Sequence, residues 1–119
     1  MKNVSAISIR TVAAAITTLV LVLSVSAEVR PFPRGFHTEE IKPDGATICV
    51  RGGGKGPAVV MLHGFGDTGD MWAPSAAALV KDHTVIVPDL RGMGLSSYPD
   101  TGYDKKTQAQ DIARVMDRL

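Results

Sequence analysis

The chain has 119 residues, of which 45% are hydrophobic, and it carries 13 Lys+Arg, 12 Asp+Glu and a single cysteine. This charge balance, without a basic patch or a basic run interleaved with aromatic residues, predicts no nucleic-acid partner. One thiol allows no internal disulfide, so a hydrophobic core has to stabilise the folded part unaided.

The first 27 residues have the features of a secretory signal peptide. A basic start precedes an almost wholly apolar stretch, residues 11–25, and Val25-Ser26-Ala27 fits the small-x-small rule for cleavage. The apolar run is shorter than the roughly 20 residues that a bilayer core requires, so we expect no stable membrane anchor. Cleavage after Ala27 would leave 11 basic and 12 acidic residues. The sequence therefore predicts a periplasmic or secreted protein.

Residues 28–37 are predicted to be an extended lead-in, because two prolines interrupt them. Two short β-like runs follow, Thr38–Ile41 and Ala46–Arg51. Between them, Pro43-Asp44-Gly45 is a turn signal, since proline presets φ and glycine accepts a positive φ. The pattern predicts an antiparallel β-hairpin.

A strand, a helix and a second strand come next. Residues 52–57 are rich in glycine but lack the spacing and the hydroxyl of a phosphate-binding loop, so they are predicted to be a flexible turn. Ala58–Leu62 is an unbroken apolar run, typical of a strand buried on both faces. Met71–Lys81 has helical spacing, and Thr84–Pro88 predicts the second buried strand. Together they predict a βαβ unit with parallel strands.

The remaining sequence predicts a long loop and an amphipathic helix. The loop is Asp89–Gly102, and Asp104 is the predicted N-cap of the helix. Five apolar residues at helical spacing would form one face of it: Ala109, Ile112, Val115, Met116 and Leu119. No helix stop signal follows, so we expect the domain to be incomplete in this chain.

The two loops that follow the parallel strands are the candidate functional segments. Open α/β sheets bind ligands at the carboxyl ends of such strands. The first loop begins His63-Gly64-Phe65-Gly66, where closely spaced glycines let the backbone turn sharply and leave amide N–H groups free. Such groups can stabilise a developing oxyanion. Cys49 lies among apolar neighbours and is predicted to be a buried structural thiol.

An apolar strand ending in His-Gly-Phe-Gly, a tryptophan a few residues on, and Val-Pro-Asp-Leu-Arg-Gly-Met-Gly-Leu-Ser resemble the α/β-hydrolase superfamily. Within it, the sequence is most similar to the epoxide hydrolase and haloacid or haloalkane dehalogenase branch. The resemblance implies that residues 38–119 are the N-terminal part of an α/β-hydrolase domain, a β-hairpin followed by βαβα of a mostly parallel sheet. It also implies that the Thr84–Val87 strand lies between the hairpin and Ala58–Leu62.

The resemblance assigns roles in the first loop. The backbone N–H of Phe65 would be one of two oxyanion donors, and the alternative is that its side chain only fills the pocket floor. His63 resembles the family's structural histidine, which ties the loop together, and not its catalytic base. Gly64 and Gly66 would shape the turn. Trp72 would either line the substrate pocket or pack beneath the loop.

In the second loop, Asp89 and Arg91 match the family's Asp-x-Arg-Gly sequence and are interpreted as loop-fixing partners. The sequence shows no metal site, since Asp67 and Asp70 near His63 lack ligand spacing, and no cofactor is implied. Gly66 stands where the branch often has proline, which leaves the substrate class open. Phe65 stands where many haloalkane dehalogenases have a halide-binding asparagine, which disfavours that subgroup.

The sequence contains no nucleophile elbow, no later acid, no terminal histidine and no cap domain. The leading hypothesis is therefore that the complete protein resembles an exported epoxide hydrolase acting on a small molecule, and that this chain alone is inactive. A haloacetate-type dehalogenase and a serine esterase are the alternatives within the family. An alternative of another class is a non-catalytic exported fragment or binding module.

Overall fold

The computed structural model describes residues 30–119, so the predicted signal peptide and the first two residues of the lead-in lie outside the described residues. The elements are β1 (Phe36–Ile41), β2 (Ile48–Gly53), β3 (Ala58–Val60), a 3₁₀-helix (Gly69–Trp72), α1 (Ala73–Leu79), β4 (Thr84–Pro88) and α2 (Lys105–Arg118). In the part of the chain that the structure describes, no helix is long and apolar enough to cross a membrane.

The predicted hairpin is confirmed, although β1 is longer than predicted and β2 is shifted by two residues towards the C-terminus. β1 and β2 pair antiparallel, and the Ala46 N–H donates to the Pro43 carbonyl (3.3 Å) across a turn in which Gly45 has φ 74°. β1 takes its first two residues from the predicted lead-in, and β2 takes two glycines from the predicted flexible turn. Glycine is required at Gly53, because a Cβ there would lie 2.8 Å from the Gly35 carbonyl oxygen.

The four strands form one mixed sheet in the order β1-β2-β4-β3. β4 is antiparallel to β2 and parallel to β3, so it lies between the hairpin and β3 as the family resemblance implies. β3 is one of the two edge strands among the described residues, and β1 is the other. Ala58 is exposed, Val59 and Val60 are only partly buried, and Leu62 is 45% exposed. The prediction that Ala58–Leu62 is buried on both faces is therefore wrong for all of these residues except Met61, which is 8% exposed. Among the described residues β3 has a neighbouring strand on one edge only, so no second strand supplies side chains beside it.

Each face of the sheet has its own core. Val85 and Val87 of β4 point to the α1 side and Ile86 to the α2 side, which follows from the two-residue period of a strand. The α2-side core consists of Ile41, Ile48, Val50, Ile86 and Val115. The α1-side core consists of Met61, Ala76, Val85 and Val87. At about 1.5–3 kcal/mol per fully buried aliphatic side chain, both cores stabilise the sheet that positions the loops.

The helices differ from prediction at their ends and in the residues that they bury. The predicted helix Met71–Lys81 begins as a 3₁₀-helix, and its α-helical part has proline in its first turn, the only part of a helix that accommodates the missing N–H. Asp104 caps α2 as predicted, since its Oδ1 accepts the Thr107 N–H (3.0 Å). On α2, Val115 is buried and Ile112 partly so, but the other three residues of the predicted apolar face are exposed.

Candidate active site

The predicted oxyanion donor lies in a tight turn just beyond β3. The Asp67 N–H donates to the Gly64 carbonyl (3.3 Å), and Gly66 has φ 77° at the third position of this turn, a conformation that favours glycine. The turn's hydrogen bond leaves out the N–H of Phe65, and within residues 30–119 no group accepts that N–H. The Phe65 side chain is 96% exposed, so among these residues it fills no pocket floor.

His63 joins the two loops through both of its ring nitrogens. Its side chain is 5% exposed, Nε2 accepts the Leu90 N–H (2.9 Å) and Nδ1 lies 2.8 Å from the Gly64 carbonyl oxygen. Because a backbone N–H only donates, the ring proton belongs on Nδ1, which then donates to Gly64. With both nitrogens engaged, His63 has the contacts of a structural histidine and no free nitrogen for proton transfer.

Asp89 organises the second loop and the start of the 3₁₀-helix. Its side chain is completely buried. Oδ1 accepts the Gly69 N–H (2.6 Å) and Arg51 Nη1 (3.1 Å), while Oδ2 accepts the Leu95 N–H (2.9 Å). Because this carboxylate accepts three hydrogen bonds, it holds together the three segments that supply the donors.

Arg51, the ion-pair partner of Asp89, was missed by the sequence analysis. Its side chain is 3% exposed, although it belongs to a strand whose other side chains are apolar or absent. The sequence did contain a signal. Arg51 is a charged residue at the end of an apolar strand run, and it follows Cys49, the predicted buried thiol, by two residues, so both side chains lie on the same face of the strand. Burial raises the pKa of that thiol, Cys49, which agrees with the predicted structural role.

The turn Gly64–Asp67, which we call the oxyanion turn after the predicted role of the Phe65 N–H, is held between two anchors on consecutive residues of the second loop. Leu90 binds His63 on one side of the turn, and Asp89 binds Gly69 on the other. A Cβ on Gly69 would lie 2.8 Å from both Arg51 Nη1 and Asp89 Oδ1, so only glycine fits there. The geometry of the turn therefore depends on the second loop as well as on its own glycines.

Arg91 joins the second loop to α2. Its guanidinium makes a bidentate ion pair with Asp111, Nε to Oδ2 at 2.6 Å and Nη2 to Oδ1 at 2.7 Å, and Nη1 donates to the Thr101 carbonyl (3.2 Å). The hydrogen bond to Asp111 raises the pKa of Arg91. Asp89 and Arg91 thus have different partners. Asp111 was also missed, although it precedes Val115 by four positions and so shares its buried helix face.

Trp72 ends the 3₁₀-helix and packs against the α1-side core. Its indole Nε1 is buried and has no hydrogen-bond acceptor among the described residues. This position agrees with packing beneath the first loop, and lining of the substrate pocket stays a prediction. Within residues 30–119, no three His, Cys, Asp or Glu side chains come together as a metal site.

Comparison with known proteins identifies the family. The sequence profile described as the alpha/beta hydrolase fold matches residues 57–119, just over half of the chain. The chain belongs to the α/β-hydrolase fold family.

The similar proteins include enzymes of the predicted branch. The soluble epoxide hydrolase of Corynebacterium sp. (strain C12) is 42% identical over 66 residues, which are 56% of this chain and 23% of that protein. The fluoroacetate dehalogenase of Burkholderia sp. is 37% identical over 90 residues, covering 71% of this chain and 30% of the relative. The crystal structure of the Cif epoxide hydrolase from Acinetobacter nosocomialis superposes with a TM-score of 0.69 at 30% identity, covering 75% of this chain and 28% of that chain. The chain thus spans less than a third of these relatives.

Proposed function

We propose that the full-length protein is an exported hydrolase of the epoxide hydrolase type, in which the backbone N–H of Phe65 is one of two oxyanion donors. The observation that carries the proposal is an N–H without an acceptor among residues 30–119, on a turn anchored at both ends, next to the carboxyl end of a parallel strand. The similarity to an epoxide hydrolase and to a fluoroacetate dehalogenase supports the substrate class.

The chemistry proposed for the full-length protein has two steps. A carboxylate oxygen attacks an epoxide carbon, the carbon–oxygen bond breaks, the ring oxygen takes up a proton, and an alkyl-enzyme ester forms. A water that has lost a proton to a histidine then adds to the ester carbonyl. The tetrahedral oxyanion collapses, releasing the diol and restoring the carboxylate.

The Phe65 N–H acts in the second step. The oxyanion of ester hydrolysis develops on the carboxylate's own carbonyl oxygen, and a preorganised donor is worth about 3–4 kcal/mol there. In the first step the charge develops on the epoxide oxygen instead. A misplaced Phe65 N–H should therefore slow ester hydrolysis and let the alkyl-enzyme accumulate.

A haloacetate dehalogenase is the second candidate, and the fluoroacetate dehalogenase relative favours it. In that reaction the carboxylate displaces a halide ion and forms a carboxymethyl ester, and hydrolysis of this ester by water is equivalent to the second step above. A serine esterase would use the oxyanion site in both acylation and deacylation. A binding module would use neither step.

The test is an assay of the full-length protein with styrene oxide, fluoroacetate and p-nitrophenyl butyrate. A single turnover in H₂¹⁸O is then measured. The water that hydrolyses an ester intermediate leaves its ¹⁸O in the enzyme's carboxylate. We expect turnover of the epoxide and one ¹⁸O atom per active enzyme. Turnover of fluoroacetate alone would favour the dehalogenase, and saturable turnover of the ester without ¹⁸O in the enzyme would favour the serine esterase. No turnover of any of the three would favour a binding role.

A further inference from the structure

The segment Arg30–Phe36, which leads into β1 and includes its first residue, lies against the residues that follow the oxyanion turn. We call it the N-terminal strap. The Arg30 N–H donates to Asp70 Oδ2 (3.0 Å), and the Phe32 ring lies with its centroid 5.2 Å from Arg51 Cζ. Phe32 also makes an edge contact with Phe36, with ring centroids 4.8 Å apart and an interplanar angle of 80°. The strap thus reaches the turn's downstream anchor by two routes.

The first route runs through Arg51. Its guanidinium is buried, only Nη1 is paired with Asp89, and Nη2 has no hydrogen-bond partner among the described residues. The aromatic face of Phe32 partly offsets the cost of burying this charge, because a ring quadrupole attracts a desolvated cation. Without the ring, water could solvate Arg51 and compete with Asp89, the carboxylate that holds the Gly69 N–H.

The second route runs through Asp70. Its carboxylate accepts the Arg30 N–H and the hydroxyl of Thr68. The Thr68 hydroxyl, together with the Arg30 N–H, holds the pKa of Asp70 below its ordinary value, so the carboxylate is charged at neutral pH. The strap therefore binds the stretch Thr68–Asp70, which begins one residue after the turn ends.

We propose that the N-terminal strap positions the oxyanion turn, with Phe32, Arg51 and Asp70 as positioning residues. This inference rests on the proposed role of the Phe65 N–H and adds the residues that hold it in place. A strap that loosens should misplace a donor needed for ester hydrolysis. Because the alkyl-enzyme then accumulates, kcat and KM should fall together while kcat/KM stays unchanged.

The test uses the full-length enzyme with Phe32→Ala, which removes the ring over Arg51, and Phe32→Trp, which restores an aromatic face. The matched control is His37→Ala, at an exposed position on β1. Amide hydrogen exchange of Phe65 and Gly69 is measured with kcat and KM for styrene oxide. For Phe32→Ala we expect about tenfold or faster exchange at Gly69, and a loss of about 10- to 100-fold in kcat, with KM lowered in parallel and kcat/KM unchanged. Phe32→Trp and the control should resemble the wild type.

A second pair of variants tests the other route without touching a core side chain. Arg30→Pro removes the N–H that binds Asp70, and Arg30→Ala keeps it. Only the proline variant should accelerate exchange at Gly69.

Unchanged exchange at Gly69 in both Phe32→Ala and Arg30→Pro would overturn the proposal, and so would a change confined to KM. If the wild type turns over no epoxide but Phe32→Ala still accelerates exchange at Gly69, the strap is supported and the proposed function is not.

Discussion

Asp89 is the residue on which both loops depend. Its buried carboxylate accepts hydrogen bonds from the first loop, from its own loop and from Arg51 of β2. Such a charge is tolerated only because it is paired and fully hydrogen-bonded. Removing it leaves the buried guanidinium of Arg51 uncompensated, which costs far more than the pair itself contributes.

We expect Asp89→Asn to lower the free energy of unfolding of the full-length protein by about 3–5 kcal/mol, the cost of breaking a buried ion pair. Urea denaturation followed by far-UV circular dichroism measures it. Asp82→Asn changes an exposed carboxylate in the same way and should alter stability by less than about 0.5 kcal/mol. A loss below about 1 kcal/mol for Asp89→Asn would contradict the central role of this pair.

Gly69 gives a second prediction at the residue scale. Gly69→Ala should destabilise the protein by about 1–3 kcal/mol, because the new methyl group would overpack against Arg51 and Asp89. Gly64→Ala is the matched control in the same loop, since a Cβ there meets nothing within 4 Å. Thermal unfolding of the two variants compares them directly, and equal midpoints would show that the loop can move away from Asp89.

At the scale of elements, α2 is tied to the rest of the domain at two levels. Its N-terminus is capped by Asp104, and Arg91 of the second loop binds Asp111 about two turns further along the helix. Val115 of α2 is buried in the core that includes Ile48 and Val50. The helix therefore packs on the sheet through an ion pair as well as through apolar contacts.

The cap makes α2 sensitive to acid. The Thr107 hydroxyl and the Thr107 N–H both bind the Asp104 carboxylate and lower its pKa below the ordinary 3.8. A lowered folded-state pKa means that the cap stabilises the helix fully above pH 3.8 and is lost as the pH falls through the folded value. Carboxyl ¹³C NMR of the full-length protein should show Asp104 titrating below pH 3.8. Thr107→Val should raise its pKa, while Thr107→Ser, which keeps the hydroxyl, should not.

For the whole molecule, the described residues form a sheet with one edge strand that few side chains cover. Leu62, Leu95 and Met116 are all about half exposed. The family relationship accounts for the sheet order and for the two loops at one end of the sheet.

Export is the prediction that belongs to the whole molecule. Expressed in a Gram-negative host, the protein should be recovered from the periplasm or medium beginning at Glu28, because Val25 and Ala27 supply the small residues for cleavage. Intact mass and N-terminal peptide analysis would identify the first residue. Ala27→Arg should block processing, whereas Ser26→Thr should not. Soluble protein that retains Met1 would contradict the signal peptide.

Local pattern alone determined the order of the elements, the Pro-Asp-Gly hairpin turn, the Asp104 cap and the glycine turn around Phe65. These features depend on the periodicity of apolar residues, on the positions of proline and glycine, and on neighbours within four residues, and all of these can be identified in the sequence. The two paired loop motifs also sufficed for the family.

Only the tertiary structure decided which groups are partners. Asp89 pairs with Arg51 and Arg91 with Asp111, from elements 38 and 20 residues away. The partial burial of β3 and the contact of Phe32 with Arg51 were likewise settled by which strands and segments are adjacent. The physical reason is that a buried charge or an apolar strand takes whatever partner the assembled sheet places beside it, and sequence spacing does not encode that distance.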